Sequence, residues 1–284
     1  MKRQPVAAVA GGPPYLHDKK ALVRRVHRRL FDHAPPPFAF NSNGDLRRIS
    51  AVLFLLAWDR KTSQPMLILN KRSQRVRQAG DLCCPGGGIT PGIDSMLARG
   101  LRLPATPLTR WPSKTWWRQN RRQDYWKLTL LMAAGLREGF EEMRLNPLGV
   151  DFLGPMPVHH LILFKRTIYP LVGWIRRQHH FLPNWEVERV VRIPLAALFD
   201  TRNYARYHVV LKGRGDDTPT LPLREMPCFI HRRNGHEELL WGATYRITEQ
   251  FLHSVFDFIP PAPASLPRVF RRLDQRYMSG AQGP

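Results

Sequence analysis

Residues 136–145 read LREGFEEMRL, with Glu138, Glu141 and Glu142 crowded into a turn and a half of a predicted helix. Met132, Leu136, Phe140 and Met143 recur at helical spacing, which at about 100° per residue gathers them into one apolar stripe. The three glutamates fall on the other side. Carboxylates at i, i+3 and i+4 repel by a few tenths of a kcal/mol per exposed pair, so an isolated helix gains nothing from them. Arg137, one turn before Glu141, neutralises one charge. The remaining oxygens form the kind of cluster that Mg2+ or Mn2+ binds. A solvated glutamate face is the plainer alternative, and the helix alone leaves both open.

Outward from this helix, CCPGGGITPG (83–92) is a loop dominated by Gly and Pro. Before it, RRISAVLFLLAW (47–58) and MLILNKR (66–72) flank the turn DRKTSQP, which predicts a β-hairpin or meander. Between loop and helix, 95–128 carries Pro104, Pro107 and Pro112, which exclude a long helix through its first half. It reads as an insertion. Asn146 and Pro147 stop the helix, and strands are expected at LILFKRTIYPLVGWI (161–175) and VERVVRIPL (187–195). Near the start, Leu22, Val23, Val26 and Leu30 line one side of a basic amphipathic helix that Pro35 to Pro37 end. The helix is either packed on the domain or a basic arm. The expected organisation is a basic helix and Pro-rich linker over 1–47, one α+β domain over 48–258 with its insertion at 95–128, and a loosely docked Pro-rich tail over 259–284.

A hydrophobic content of 43% over 284 residues allows one sizeable core. Lys and Arg number 44 against 22 Asp and Glu, a formal charge of +22, which favours anionic partners: phosphorylated small molecules, nucleic acid or an acidic membrane surface. Cys83, Cys84 and Cys228 make neither a disulfide framework nor a metal knuckle, so the adjacent pair reads as small hydrophobes. His159, His160, His179 and His180 lack partners at ligand spacing and read as loop or solvent residues. The longest apolar run, 50–58, is about half of the roughly 20 residues that a membrane span requires, so it predicts a buried strand. Gly and Pro interrupt the amino-terminal apolar stretch too early for a secretory signal, and a cytoplasmic protein is expected.

The Pro-Gly-Gly of the loop together with Arg137-Glu138-x-x-Glu141-Glu142-x-x-Leu145 resembles the Nudix hydrolase box, Gly-x5-Glu-x7-Arg-Glu-U-x-Glu-Glu-x-Gly-U, where U is a bulky aliphatic. KRSQRVRQAGDLCCPGGGITPGID (71–94) is similar to the entry motif of the coenzyme A diphosphatase branch, with Cys84 in place of a Phe. FLPNWEVERVVRIPLAALFDTRNY (181–204) and LLWGATYRIT (239–248) resemble later segments of that branch. Three departures stand out. The stretch from Gly87 to Arg137 is far longer than the box allows. Counting back from Arg137, the position of the first Glu holds Thr129. Arg144 replaces the Gly before the final aliphatic.

The resemblance implies a Nudix-type α/β/α sandwich with a mixed β-sheet, carrying an insertion and a basic N-terminal helix. It implies Mg2+- or Mn2+-dependent hydrolysis of the pyrophosphate bond in a nucleoside diphosphate linked to another moiety, coenzyme A or a derivative. Glu138, Glu141 and Glu142 are then the metal ligands, with the Gly87 carbonyl completing the shell. Arg137 orients the carboxylates, and the general base is Glu138 or, from outside the box, Glu186 or Glu188. Lys71, Arg72, Arg75 and Arg77 are the expected phosphate contacts of the substrate. In the insertion, Trp111, Trp116, Trp117, Tyr125 and Trp126 interleave with basic residues, as in a cap over the site, a surface for single-stranded nucleic acid, or a solvated loop whose aromatics fold onto the domain. The alternative function is a catalytically degenerate Nudix scaffold that binds RNA or a nucleotide.

Overall fold

The computed structural model describes residues 12–40, 46–161, 166–211, 225–233, 235–273 and Tyr277. Its elements run α1 (Lys19–Asp32), β1 (Ile49–Asp59), β2 (Gln64–Arg72), β3 (Leu82–Cys83), β4 (Gly86–Gly88), α2 (Pro91–Gly100), α3 (Lys114–Asn120), α4 (Arg122–Met143), β5 (Val150–Pro155), β6 (His159–Leu161), β7 (Arg166–Ile175), β8 (Val187–Pro194), β9 (Tyr204–Leu211), β10 (Met226–Arg233), β11 (His236–Leu240), α5 (Gly242–Phe256) and β12 (Arg268–Leu273).

β1 organises the molecule because its side chains are apolar on both faces, as a strand covered on both sides requires. Ala51, Leu53 and Leu55 point into a core shared with Leu128, Leu131 and Met132 of α4. Phe54 and Leu56 point the other way, against Leu22, Val26 and Leu30 of α1 and Phe251, Leu252 and Val255 of α5. Helices thus lie on both faces of an eight-stranded mixed sheet of order β3-β2-β1-β7-β5, in which β4 also pairs β1, β6 pairs β7 and β8 pairs β2. β1 and β7 are parallel and the other pairings antiparallel. A second, four-stranded sheet has the order β11-β10-β9-β12. The fold is α+β with mixed sheets, as expected.

The predicted hairpin is β1–β2, with Leu55 opposite Ile68. α1 is packed rather than a free arm: its stripe is buried, and Asp18 caps it by accepting from the N–H groups of Lys20 and Ala21 at 2.8 and 3.1 Å. Three expectations need correction. Phe140 leaves the apolar stripe and is exposed, in the last turn of α4. His159 lies partly buried in β6 rather than in a loop or in solvent, and burial lowers its pKa, whereas His160 of the same strand is exposed. The segment after Pro260 is not wholly loose, since β12 pairs in parallel with β9 and the Tyr277 hydroxyl bonds Asp81. Residues 162–165 of the predicted strand lie outside the described residues, and β7 begins at Arg166. Among the described residues no helix is long and apolar enough to cross a membrane.

Candidate active site

Two neighbouring features of the main sheet make the site. β4 lies antiparallel to β1, with Ala51 opposite Gly87, and α4 crosses the same face of that strand. Gly135 permits the close crossing, since a Cβ there would lie 3.0 Å from the Leu53 Cδ2 atom. Residues 95–128 therefore do not separate the glycine turn from the glutamate helix. Gly86 has φ +144°, a conformation reserved for glycine, and its N–H donates to Glu142 Oε2 at 3.2 Å. Gly87 faces Glu138 so closely that a Cβ would lie 2.5 Å from the Glu138 Cδ atom. The Gly88 carbonyl accepts from Arg137 Nη2 at 3.0 Å.

Arg137 sits at the hub. Its Nη1 lies 3.0 Å from Glu138 Oε1 and 3.2 Å from Glu141 Oε2, and its Nε donates to Asp94 Oδ1 at 2.7 Å. Nη2 reaches Asp94 Oδ2 at 3.2 Å, and that oxygen also accepts the Thr90 N–H at 2.7 Å. Asp94 is 0% exposed, and its bonds raise the Arg137 pKa further. Asp94 was not singled out from the sequence, although a signal was present: Gly-x5 counted forward from Gly88 lands on it. Thr129, reached by counting back from Arg137, is buried and merely bonds the Tyr125 carbonyl at 2.8 Å. The carboxylate that bonds Arg137 from outside α4 is thus Asp94, near the start of α2.

Glu142 is 8% exposed and held by Gly86 and by the Asn70 side-chain amide at 3.0 Å, a partner that sequence reasoning also missed. Burial pushes its carboxyl up to about 8; the Gly86 N–H opposes the rise, and the charges of Glu138 and Glu186 add to it. Burial likewise raises Glu138, against the pull of Arg137 and with the help of Glu141 and Glu186. Glu186 is thus within electrostatic reach of both. Its loop is tied down by Leu182 and Asn184, whose N–H groups donate to the Met143 and Glu142 carbonyls at 3.1 and 2.8 Å. Those carbonyls belong to the unpaired end of α4.

The structure scatters the basic entry residues. Asn70 faces α4, so strand alternation turns Lys71 to the opposite face, where it lies 3.4 Å from Glu188 and from Glu238. Arg72 donates to the Arg77 carbonyl at 2.7 Å, and Arg75 and Arg77 are exposed. Arg144, at φ +54°, is the left-handed cap of α4, which explains why the box has Gly there. Gly139 occupies the first U position, where a Cβ would lie 2.9 Å from Leu145 Cδ2. In the insertion, Trp111 and Trp117 are buried, with Trp111 against Phe152 at 4.8 Å, so neither is free to stack a base.

Among the described residues no three His, Cys, Asp or Glu side chains already stand as a ligand set. The donor chemistry nonetheless fits a divalent cation. Glu138 packs against the bare Cα of Gly87 and Glu142 accepts the Gly86 N–H, and each is pushed toward protonation by burial and by the other carboxylates. Hard oxygen donors crowded in this way suit Mg2+ or Mn2+.

No protein-family model matches the chain. It is similar to an uncharacterized Nudix hydrolase, NudL, of Enterobacter sp. (strain 638), at 28% identity over 203 residues, which cover 70% of this chain and 73% of that protein. This similarity agrees with the Nudix resemblance carried by the glycine turn, Arg137 and the glutamates. Solved Nudix structures also align, distantly. A MutT/nudix family protein from Enterococcus faecalis does so with TM-score 0.37 and 11% identity over 86% of this chain and 73% of its own. A Nudix hydrolase from M. smegmatis, RenU, gives TM-score 0.33 and 14% identity over 52% and 71%. At these scores the alignments add nothing to the topology described above.

Proposed function

We propose that the protein is a metal-dependent pyrophosphohydrolase of a nucleoside diphosphate linked to another moiety, with coenzyme A or a derivative as substrate. The observation that carries this reading is the meeting of the Gly86–Gly88 turn with Arg137, Glu138 and Glu142 across the insertion. The coenzyme A assignment is supported by the entry motif at 71–94 and by the segments at 181–204 and 239–248.

Glu138, Glu141 and Glu142 would hold Mg2+ or Mn2+, with the Gly87 carbonyl. When bound, the metal neutralises charge on the diphosphate and lowers the pKa of an attacking water. Arg137, fixed by Asp94 and Gly88, keeps Glu138 and Glu141 in place. Glu186 takes the proton of the attacking water, its charge already felt at Glu138 and Glu142. Arg72, Arg75 and Arg77 meet substrate phosphates; Lys71, engaged by Glu188 and Glu238, contributes less.

A panel of nucleoside diphosphate derivatives incubated with each metal tests this reading. Coenzyme A should yield 4′-phosphopantetheine and adenosine 3′,5′-bisphosphate, and Glu141→Gln or Glu142→Gln should abolish turnover while leaving the chain folded. Undiminished turnover in those variants refutes the site. A chain inert on every diphosphate that nonetheless binds RNA with a steep salt dependence would be the degenerate scaffold instead.

A further inference from the structure

The insertion carries a surface that the hydrolase reading does not use. α2 turns Asp94 and Ala98 toward α4 and buries them, yet Ile93, Met96 and Leu97, at i, i+3 and i+4, remain 51%, 65% and 38% exposed. Leu103, in the turn that follows, is 63% exposed. A helix packed along one side has no structural need of a second apolar stripe, and a contiguous exposed stripe marks an interaction face. Among the described residues nothing covers it.

Within residues 91–128 the exposed charges are all positive, although Glu138 and Glu141 of α4 lie beside Arg137 at one end of the stripe. The only acidic residues of 91–128, Asp94 and Asp124, are buried and bonded to Arg137 and Arg121. Arg99, Arg102, Arg118 and Arg122 are exposed, and none forms an ion pair among the described residues. The stripe begins beside Arg137, where Asp94 anchors α2, and ends where the Arg102 guanidinium lies 4.0 Å from the centre of the Trp126 ring. There α3 and α4 meet at a break in the helix, and Arg118, Arg122, Tyr125 and Trp126 line an open cavity of about 390 Å3.

We propose that this face seats the protein on an anionic lipid bilayer. Ile93, Met96, Leu97 and Leu103 enter the boundary between headgroups and acyl chains, and the four arginines engage lipid phosphates. Trp126 lies at the level of the headgroups, where an indole has its apolar body in the bilayer and its N–H in the wet layer. Charge selects this occupant. A second copy of the chain would bring two arginine-rimmed faces together, within a molecule already at +22. Single-stranded nucleic acid would use the arginines but has no use for exposed Ile93, Met96 and Leu97. An anionic membrane uses both, and the inference is independent of the substrate assignment.

Co-sedimentation of the full chain with vesicles tests it, comparing phosphatidylcholine alone with an equimolar mixture of phosphatidylcholine and phosphatidylglycerol. The wild type should pellet with the mixed vesicles and stay in solution with the neutral ones. Met96→Ser/Leu97→Ser should lower partitioning by about tenfold or more, because the apolar contribution is lost. Arg118→Gln/Arg122→Gln should lower it by a similar factor at low salt and by less at high salt. Circular dichroism and thermal melting verify that each variant is folded. These side chains are exposed, so no loss of stability is expected. Equal partitioning of wild type and Met96→Ser/Leu97→Ser, or no wild-type binding to mixed vesicles, overturns the proposal. So does a wild-type dimer in sedimentation equilibrium that Met96→Ser/Leu97→Ser converts to monomer.

Discussion

Replacing Asp94 by Asn removes a charge and keeps the shape, and the geometry of the carboxylate makes the cost calculable. Both of its oxygens face donors: Oδ1 accepts from Arg137 Nε at 2.7 Å, and Oδ2 from Thr90 N–H at 2.7 Å and Arg137 Nη2 at 3.2 Å. Whichever way an Asn amide turns, its NH2 meets an N–H, so at least one bond is lost outright. The other loses its charge assistance, worth about 1 kcal/mol. Taking one partner from a buried ion pair costs about 3–5 kcal/mol; Arg137 retains Glu138, Glu141 and the Gly88 carbonyl, so about 3 kcal/mol is expected. A chain stable by roughly 5–15 kcal/mol stays folded. Urea unfolding followed by circular dichroism should show this loss. In an Arg137→Met background the same substitution should cost less than about 1 kcal/mol, because its partner has gone. Turnover should fall about a hundredfold, as Arg137 ceases to fix Glu138 and Glu141. A change within about 0.5 kcal/mol, or strict additivity with Arg137→Met, would show that Asp94 does not position Arg137.

Gly87→Ala places a Cβ 2.5 Å from the Glu138 Cδ atom, but a flexible side chain can swing away; stability should change by less than about 1 kcal/mol while turnover drops at least about tenfold. Unchanged kcat with full metal affinity by calorimetry would remove Glu138 from the site. Thr129→Glu, which restores the box as counted back from Arg137, should bury an unpaired carboxylate, cost more than about 2 kcal/mol and give no gain in rate. A faster enzyme would show that the first acidic position lies in α4 after all. Arg144→Gly should stabilise by a few tenths to about 1 kcal/mol: relief of the left-handed backbone outweighs loss of the guanidinium over Phe140, 4.9 Å from its ring centre. Destabilisation in urea titrations would mean the stacking dominates.

The sequence reveals what depends on periodicity. The continuous apolar run of β1, the hairpin partner in β2 and the glutamate face of α4 are local patterns, and each is present in the structure. It is silent where position depends on a path through space. The residues between Gly88 and Arg137 leave the sheet and return to it, so a spacing rule read along the chain fails from one end and holds from the other. Counted backward it selects Thr129, which is buried and bonds the Tyr125 carbonyl; counted forward it selects Asp94, which bonds Arg137. Asn70 could not have been found by spacing at all, because it reaches Glu142 by being the β2 residue that faces α4. The same alternation turns Lys71 away from the carboxylates and toward Glu188 and Glu238.

What the insertion leaves intact is therefore a set of contacts rather than a contiguous motif. The Gly86 N–H, the bare Cα of Gly87 and the Gly88 carbonyl each meet a different side chain of α4, namely Glu142, Glu138 and Arg137. Those three contacts require that the turn pair with β1 and that the helix cross β1 closely, and neither condition involves the number of residues between them. An insertion at that point is tolerable because it begins after Asp94 has bonded Arg137 and ends before α4 reaches Leu53 at Gly135. Loop length adds only slowly to the entropy of closure, so the added chain costs little once both of its ends are fixed by the sheet.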